Sequence, residues 1–217
     1  MIFNGDCISI MRGFKEESYD AIITDPPYGI NKEKIEGDED LTIFFKSISE
    51  FKRLLKPGAF CATFSSIKHL PDIIEQFKLC GFLYEWMYIC YINNGMVRGR
   101  MGFSCYMPIL IFSRMGEGVK SKIHSQLRDV CELSASAEKL NSRIHPYQKD
   151  TRFISPLIKA ITPEGGKILD PFCGSGSIVL SAIQNGFNAD GIEIDTEYFN
   201  LASKRINGYT RIDLFNY

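Results

Sequence analysis

The feature that most constrains this chain is the alternation of short apolar runs with longer segments of helical spacing. Residues 19–24 (YDAIIT) form a short apolar run that stops at a Pro-Pro pair. Residues 41–55 then carry apolar side chains at helical spacing and end at Lys56-Pro57-Gly58. Strands that alternate with helices in this way predict βαβ units and a mostly parallel sheet with helices on both faces.

The same patterns place the remaining elements. Further strands are predicted at 59–64, 82–92, 106–113, 167–169 and 189–194, and further helices at about 70–79, 151–161, 177–185 and 196–206. The adjacent strands 82–92 and 106–113 should form an antiparallel hairpin at one edge of the sheet. The expected fold class is therefore α/β, a doubly wound, mostly parallel sheet with an antiparallel edge hairpin, whose ligands bind at the carboxyl ends of the strands.

Composition narrows the protein class. The chain has 217 residues, which fits a single domain, and 25 basic residues nearly balance 26 acidic ones. This balance disfavours a wholly basic nucleic-acid coat and an acidic disordered chain. The seven cysteines are scattered without C-x-x-C spacing, which favours reduced thiols, and the first residues lack a signal-peptide pattern. We therefore expect a cytoplasmic protein without a structural zinc site.

A glycine-rich turn joins the predicted strand 167–169 to the helix after it. It reads Asp170-Pro171-Phe172-Cys173-Gly174-Ser175-Gly176. Two glycines allow a ligand to approach the backbone closely, and the following helix offers unpaired N–H groups. Glu193 follows 23 residues later, near the ~20-residue spacing of a ribose-binding acid in nucleotide-binding folds. The pattern favours nucleotide binding, and the alternative is an ordinary turn between a strand and a helix.

A second motif, Asp25-Pro26-Pro27-Tyr28, follows the strand 19–24. The prolines lack N–H donors and restrict the backbone, so the Asp25 carboxylate and the Pro26 carbonyl become fixed acceptors. Two fixed acceptors suit an amine that donates two hydrogens, and the adjacent Tyr28 ring supplies a stacking surface. The alternative is a plain turn marked by a Pro-Pro pair.

Both motifs together resemble the S-adenosylmethionine-dependent DNA methyltransferases that modify the N6 amine of adenine or the N4 amine of cytosine. Their order, with D-P-P-Y early and the glycine turn late, resembles the permuted β class. The segments Gly5-Asp6-Cys7, His145-Pro146-Tyr147-Gln148-Lys149-Asp150 and Gly191-Ile192-Glu193-Ile194-Asp195 match in the same order. The resemblance implies a seven-stranded, Rossmann-like methyltransferase fold over the single domain 1–217.

The resemblance implies S-adenosylmethionine as the cofactor. Asp6, with the backbone at Cys7, would bind its adenine, and Glu193 would bind its ribose, with Asp195 as a second acidic candidate. Its methionine part would contact residues of the glycine turn and of the 145–150 segment, namely Asp170, Phe172, Gly174, Ser175, Gly176, Gln148 and Lys149. Asp150 departs from the family's usual proline and adds a carboxylate beside this contact.

The resemblance also implies that the target is a flipped adenine stacked on Tyr28. Asp25 and the Pro26 carbonyl would accept the hydrogens of its exocyclic amine, and Pro27 would keep this turn rigid. The three histidines show no metal-ligand spacing, so we expect neither a metal nor a covalent intermediate. Aspartate at position 25 favours adenine over cytosine. The alternatives are a cytosine-N4 or RNA-adenine methyltransferase, or a non-catalytic DNA-binding subunit of the same fold.

Regional charge predicts where double-stranded DNA binds. Between positions 91 and 128 the sequence contains six basic residues and one acidic residue, which gives a local net charge of +5. The expected contacts are Arg98, Arg100, Arg114, Lys120 and Lys122, and we expect a small DNA-recognition insertion within 91–144. The alternative for the Arg98 and Arg100 loop is a solvated hairpin. A homodimer is expected on family grounds alone.

Overall fold

The computed structural model describes residues 1–27, 41–93, 97–98, 102–116, 121–133 and 150–213, with the backbone alone for 97–98 and 210–213. An eight-stranded sheet with the order β1-β10-β9-β2-β3-β7-β4-β8 dominates these residues, beside a two-stranded β5-β6 hairpin. The strands are β1 Ile2–Asn4, β2 Tyr19–Thr24, β3 Leu55–Phe64, β4 Phe82–Ile92, β5 Val97–Arg98, β6 Phe103–Ser104, β7 Tyr106–Arg114, β8 Val130–Leu133, β9 Lys167–Asp170 and β10 Asn188–Glu193. The helices are α1 Cys7–Arg12, α2 Thr42–Leu54, α3 Leu70–Leu79, α4 Thr151–Ile161, α5 Ser177–Gln184 and α6 Thr196–Asp213, with a short 3-10 turn at Ile67–His69.

Side chains alternate between the two faces of the sheet along each strand, so two separate hydrophobic cores form, one on each face. In β2, Ala21 and Ile23 point to one face and Ile22 points to the other. The first face is covered mainly by α4 and α5, with Ile206 of α6 also packed against it. The other face is covered by α1, α2 and α3. This arrangement confirms the predicted α/β fold with a mostly parallel sheet between two helical layers.

The order of the strands reverses between β9 and β2. From β9 the chain passes through α5 to β10, on one side, whereas from β2 it passes through α2 to β3, on the other. Such a reversal opens a crevice at the carboxyl ends of the two central strands. Both sequence motifs therefore begin where this fold places ligands.

Three differences from the sequence prediction concern short elements. Strand β1 has three residues and α1 has six, so neither is long enough to display a period, yet β1 pairs in parallel with β10. The predicted antiparallel hairpin of β4 and β7 is present, but β8 pairs in parallel with β4 outside it and makes eight strands instead of seven. Among the described strands of this sheet, β7 alone runs opposite to the rest.

Close packing beneath the glycine turn depends on Gly191 in β10. A Cβ atom at this position would lie 2.8 Å from Ile2 Cδ1 and 2.9 Å from both Cys173 Cβ and Sγ. Contacts this short would force β1 or the turn at Cys173 to move. Glycine therefore allows the turn to pack directly onto the strand.

Replacing Gly191 by alanine should lower the free energy of unfolding by about 1 to 3 kcal/mol, because an added methyl group overpacks this contact. The matched control is Gly208→Ala in α6, where nothing lies within 4 Å of an added Cβ. That control should stabilise the protein by about 0.5 to 1 kcal/mol, since alanine favours the helix. Urea denaturation of both variants measures the difference, and equal effects would contradict this account of Gly191.

Candidate active site

A buried hydrogen bond joins the ends of the two central strands. The Thr24 hydroxyl at the end of β2 donates to Asp170 Oδ1 at the end of β9 over 2.8 Å. Thr24 is 0% exposed and Asp170 is 1% exposed. The bond brings the start of the Asp25-Pro26-Pro27-Tyr28 motif next to the start of the glycine turn, as the sequence prediction requires.

Acidic groups crowd this position. Burial, with smaller contributions from the charges of Asp25 and Glu193, raises the pKa of Asp170 to about 8, although hydrogen bonds from Thr24 and the Phe172 N–H lower it. Burial also raises the pKa of Glu193. A cation placed among these carboxyl groups would reduce both the repulsion and the desolvation penalty. The acid set therefore suits a positively charged ligand.

Glu193 attaches the glycine turn to the end of β10. Its carboxylate accepts a hydrogen bond from the Gly174 N–H over 2.7 Å and another from the Asp195 N–H over 2.9 Å. The Cys173 N–H donates to the Ile192 carbonyl over 2.9 Å. The predicted ribose acid thus also positions the turn that would face the rest of a nucleotide.

The turn itself uses left-handed backbone at its two glycines. Gly174 has φ +50° and Gly176, which caps the start of α5, has φ +76°. A side chain at Gly176 would also approach Ala202 Cβ to 3.1 Å. No atom of the described residues lies within 4 Å of the position of an added Cβ at Gly174, so among these residues Gly174 borders open space. Glycine is needed at both positions because other L-residues rarely adopt positive φ.

Arg205 in α6 is a site residue that sequence reasoning missed. Its guanidinium donates a hydrogen bond to the Ser175 carbonyl and thereby fixes the outer side of the glycine turn. Burial lowers the pKa of Arg205. A single arginine in an amphipathic helix carries no local signal for this role, because the contact spans 30 residues.

Asp6 and Asp195 lie at the starts of two helices. Asp6 caps α1 by accepting a hydrogen bond from the Ser9 N–H over 2.8 Å. Asp195 Oδ1 accepts from the N–H groups of Glu197 and Tyr198 over 2.7 and 3.0 Å. Each carboxylate therefore has a structural role as a helix cap. Their predicted contacts with a cofactor stay predictions.

Cys7 and Phe172 line the same end of the sheet. Cys7 is buried, and this burial together with the neighbouring Asp6 raises the pKa of its thiol to about 12, so the thiol stays protonated. The Phe172 ring meets the ring of Phe44 in α2 edge-on, with centroids 6.3 Å apart. Both side chains thus contribute apolar walls next to the acidic groups.

Two predicted segments are only partly described. Pro26 is buried and Asp25 and Pro27 are half-buried, whereas Tyr28 lies outside the described residues. Gln148 and Lys149 also lie outside them. Asp150 caps α4 through the Arg152 N–H, and its two oxygens accept hydrogen bonds of 2.6 to 3.1 Å from the Arg152 guanidinium. This ion pair balances the charge that the departure from proline adds.

The structure gives one predicted DNA contact, Arg114, a role within the fold. Strand β7 runs antiparallel to the other strands, so Arg114 at its C-terminal end lies beside Phe82 at the start of β4. Arg114 is therefore at the amino ends of the parallel strands, whereas the site is at their carboxyl ends. Its guanidinium donates to the Leu55 carbonyl and pairs with Glu17 over 3.0 Å. Arg114 is therefore a structural residue. Lys122 is exposed, and Lys120, Arg100 and the Arg98 side chain lie outside the described residues.

In the part of the chain that the structure describes, no group of three or more His, Cys, Asp or Glu side chains is arranged to hold a metal ion. No described helix combines the length and the apolar character required to cross a membrane. All seven cysteines are unpaired.

The strand order, the glycine turn and the acidic strand ends define an α/β fold of the methyltransferase class. A family model described as DNA methylase matches residues 19–204. The chain belongs to this family, whose model spans most of its length.

Individual relatives agree with this assignment. The type II methyltransferase M.HpaI of Haemophilus parainfluenzae is 27% identical over 241 residues, covering 96% of this chain and 76% of that protein. The DNA adenine methyltransferase YhdJ of Escherichia coli (strain K12) is 27% identical, covering 95% and 82%. The solved complex of M1.HpyAVI with SAM superimposes with a TM-score of 0.78 at 27% identity, covering 95% of this chain and 98% of the other.

Burial of Asp170 should make stability depend on pH. Its pKa of about 8 in the folded protein lies above the value of about 3.9 in an unfolded chain, so the folded state binds more protons between these values. The free energy of unfolding should therefore fall as the pH rises from about 5 to about 8, by up to about 1.4 kcal/mol per pH unit from this group. Asp170→Asn should flatten this slope, because asparagine keeps an acceptor for Thr24 but does not titrate. Urea denaturation across this pH range measures the slope.

The control for this measurement is Glu75→Gln, which changes an exposed carboxylate on α3. This variant should keep the slope of the unmodified protein. If Asp170→Asn also kept that slope, the buried carboxyl group would not be its source.

Proposed function

We propose that this protein is a DNA methyltransferase that transfers a methyl group from S-adenosylmethionine to the N6 amine of a flipped adenine. The observation that carries the proposal is the hydrogen bond between Thr24 and Asp170, which joins the amine-binding motif to the glycine turn. Membership of the DNA methylase family supports the reaction class. The relative YhdJ, described as a DNA adenine methyltransferase, supports adenine as the base.

The residues at the end of the sheet fit this cofactor. Its sulfonium and ammonium groups are cations, and a cation would favour the ionised form of Asp170, which burial and the charges of Asp25 and Glu193 disfavour. Glu193 would accept hydrogen bonds from the ribose, and Asp6 would bind the adenine. The turn from Phe172 to Gly176 would border the methionine part, with Gln148 and Lys149 nearby. When bound, S-adenosylmethionine supplies a methyl group activated by its positively charged sulfur.

The target side is built on the rigid turn after β2. The Asp25 carboxylate and the Pro26 carbonyl accept the two hydrogens of the exocyclic amine, which reduces the conjugation of its lone pair with the ring and directs the nitrogen at the methyl group. Tyr28 stacks on the flipped base, which offsets part of the few kcal/mol that flipping costs. This chemistry requires positioning and electrostatic stabilisation from the protein, and no covalent intermediate.

The partner is double-stranded DNA, bound through the basic segment between residues 91 and 128. Arg98, Arg100, Arg114, Lys120 and Lys122 are the proposed contacts, and the Arg114 guanidinium also binds the Leu55 carbonyl and Glu17 within the fold. A small recognition element within 91–144 would include the β5-β6 hairpin, since β7 and β8 in this range build the main sheet. Assembly into a homodimer and a cytoplasmic location remain part of the proposal.

Replacing Asp25 by alanine should reduce methyl transfer by at least about a hundredfold, because the acceptor that polarises the amine is lost. The cofactor Kd should change much less, since the glycine turn and Glu193 stay in place. Transfer is measured with labelled S-adenosylmethionine and unmethylated DNA, followed by identification of the modified nucleoside, and binding by isothermal titration calorimetry.

The product distinguishes the competing functions. N6-methyladenine in DNA supports the proposal, whereas N4-methylcytosine or labelled RNA would require another target. DNA binding without any transfer would indicate a non-catalytic subunit. Equal loss of cofactor binding and transfer in Asp25→Ala would mean that Asp25 supports the cofactor site instead of the target amine.

Neutralising Arg98 and Arg100 together should weaken DNA binding and reduce the slope of log K against log salt by about 2, because each lost phosphate contact reduces it by about 1. The control replaces the exposed residues Lys46 and Lys78, in α2 and α3, by alanine and should leave this slope unchanged. Fluorescence anisotropy at several salt concentrations measures it. An unchanged slope in the double arginine variant would place the DNA on another surface.

A further inference from the structure

Thr24 is a buried residue of the site that the proposed chemistry does not use. It is the last residue of β2, directly before Asp25, and its hydroxyl donates its only hydrogen to Asp170 Oδ1. The Phe172 N–H donates to the same oxygen over 3.2 Å. Both donors thus select one oxygen of the carboxyl group and fix its plane, which leaves Oδ2 to receive a ligand cation or a proton.

The surroundings of Asp170 make this orientation important. Asp25 lies on the β2 side and Glu193 on the β10 side, and both charges act on Asp170. Burial raises the pKa of the Cys173 thiol in the glycine turn, and the charge of Asp170 adds to this effect. These neighbours are acidic, and the hydrogen bonds from Thr24 and the Phe172 N–H favour the ionised form of Asp170 against them.

We propose that Thr24 is a positioning residue for the cofactor, which holds the Asp170 carboxyl group so that its second oxygen receives the positively charged methionine part. This inference rests on the proposed function and extends it to a residue outside the two motifs. Because Thr24 precedes Asp25 in the chain, the same hydrogen bond also keeps the target-binding turn at a fixed place relative to the cofactor.

The neighbouring strand provides a matched comparison. Thr63 in β3 is the register partner of Thr24 and is likewise 0% exposed. Its hydroxyl donates to the backbone carbonyl of Phe64 over 3.0 Å instead of a carboxylate. Replacing either threonine by valine therefore makes the same change in shape and burial, but only the change at position 24 removes a donor from the site.

Thr24→Val should raise the Kd for S-adenosylmethionine about tenfold at neutral pH, the size expected for losing a hydrogen bond to a charged group. The Kd for 5′-methylthioadenosine, which lacks the ammonium and carboxylate groups, should stay within about twofold of the original value. The loss should shrink at higher pH, since the hydrogen bond from Thr24 lowers the pKa of Asp170 and its removal delays ionisation. Calorimetric titrations of both ligands at several pH values measure these effects.

Two control variants complete the test. Thr63→Val should bind both ligands like the unmodified protein. Thr24→Ser keeps the hydroxyl donor and should also bind both normally, which separates the hydrogen bond from the packing of the Thr24 methyl group.

The outcomes are distinct. Selective loss of S-adenosylmethionine affinity in Thr24→Val, with rescue by serine, supports the proposal. Equal weakening of both ligands, or no weakening at all, would overturn it, as would failure of the serine rescue. If the unmodified protein bound neither ligand, the proposed function itself would fail, together with this inference.

Discussion

The hydrogen bond between Thr24 and Asp170 is the interaction on which the arrangement of the site depends. It lies between β9 and β2, where the strand order reverses. The chain continues from these two strands toward opposite sides of the sheet. In a buried environment the bond is strong, and it keeps a carboxyl group in place that burial and neighbouring acids would otherwise destabilise. The proposed cofactor and target sites share this contact, so it would hold them in a fixed arrangement.

Several acidic side chains of the site also stabilise the local backbone. Glu193 binds the N–H groups of Gly174 and Asp195, and the carboxylates of Asp6 and Asp195 cap helices α1 and α6. Arg205 completes the set by binding the Ser175 carbonyl from outside. Groups held by two or more backbone partners lose little conformational freedom when a ligand binds, so the site is preorganised.

Apolar runs and helical spacing in the sequence predict most of the scaffold, and the bounds of β2, β4, α3 and α4 agree with the structure. The short elements β1, α1 and β8 have no such period, and tertiary pairing alone defines them. Charge counting predicts a basic DNA-binding region but does not show that Arg114 binds the Leu55 carbonyl and Glu17. Regional charge contains no information on strand direction. Because β7 is antiparallel to its neighbours, Arg114 lies at the amino ends of the parallel strands, opposite to the site.

The sequence by itself determined the α/β class, the two motifs and the residue types that the chemistry needs, because these depend on local patterns. The tertiary structure alone decided which groups meet. Thr24 and Asp170 stand 146 positions apart, and Arg205 reaches Ser175 across 30. Such contacts follow from the order of strands in the sheet and from helix packing, which no local pattern encodes. For this reason the motifs can be identified from the sequence, whereas Thr24 and Arg205, which contact the glycine turn and its preceding strand, can be identified only from the fold.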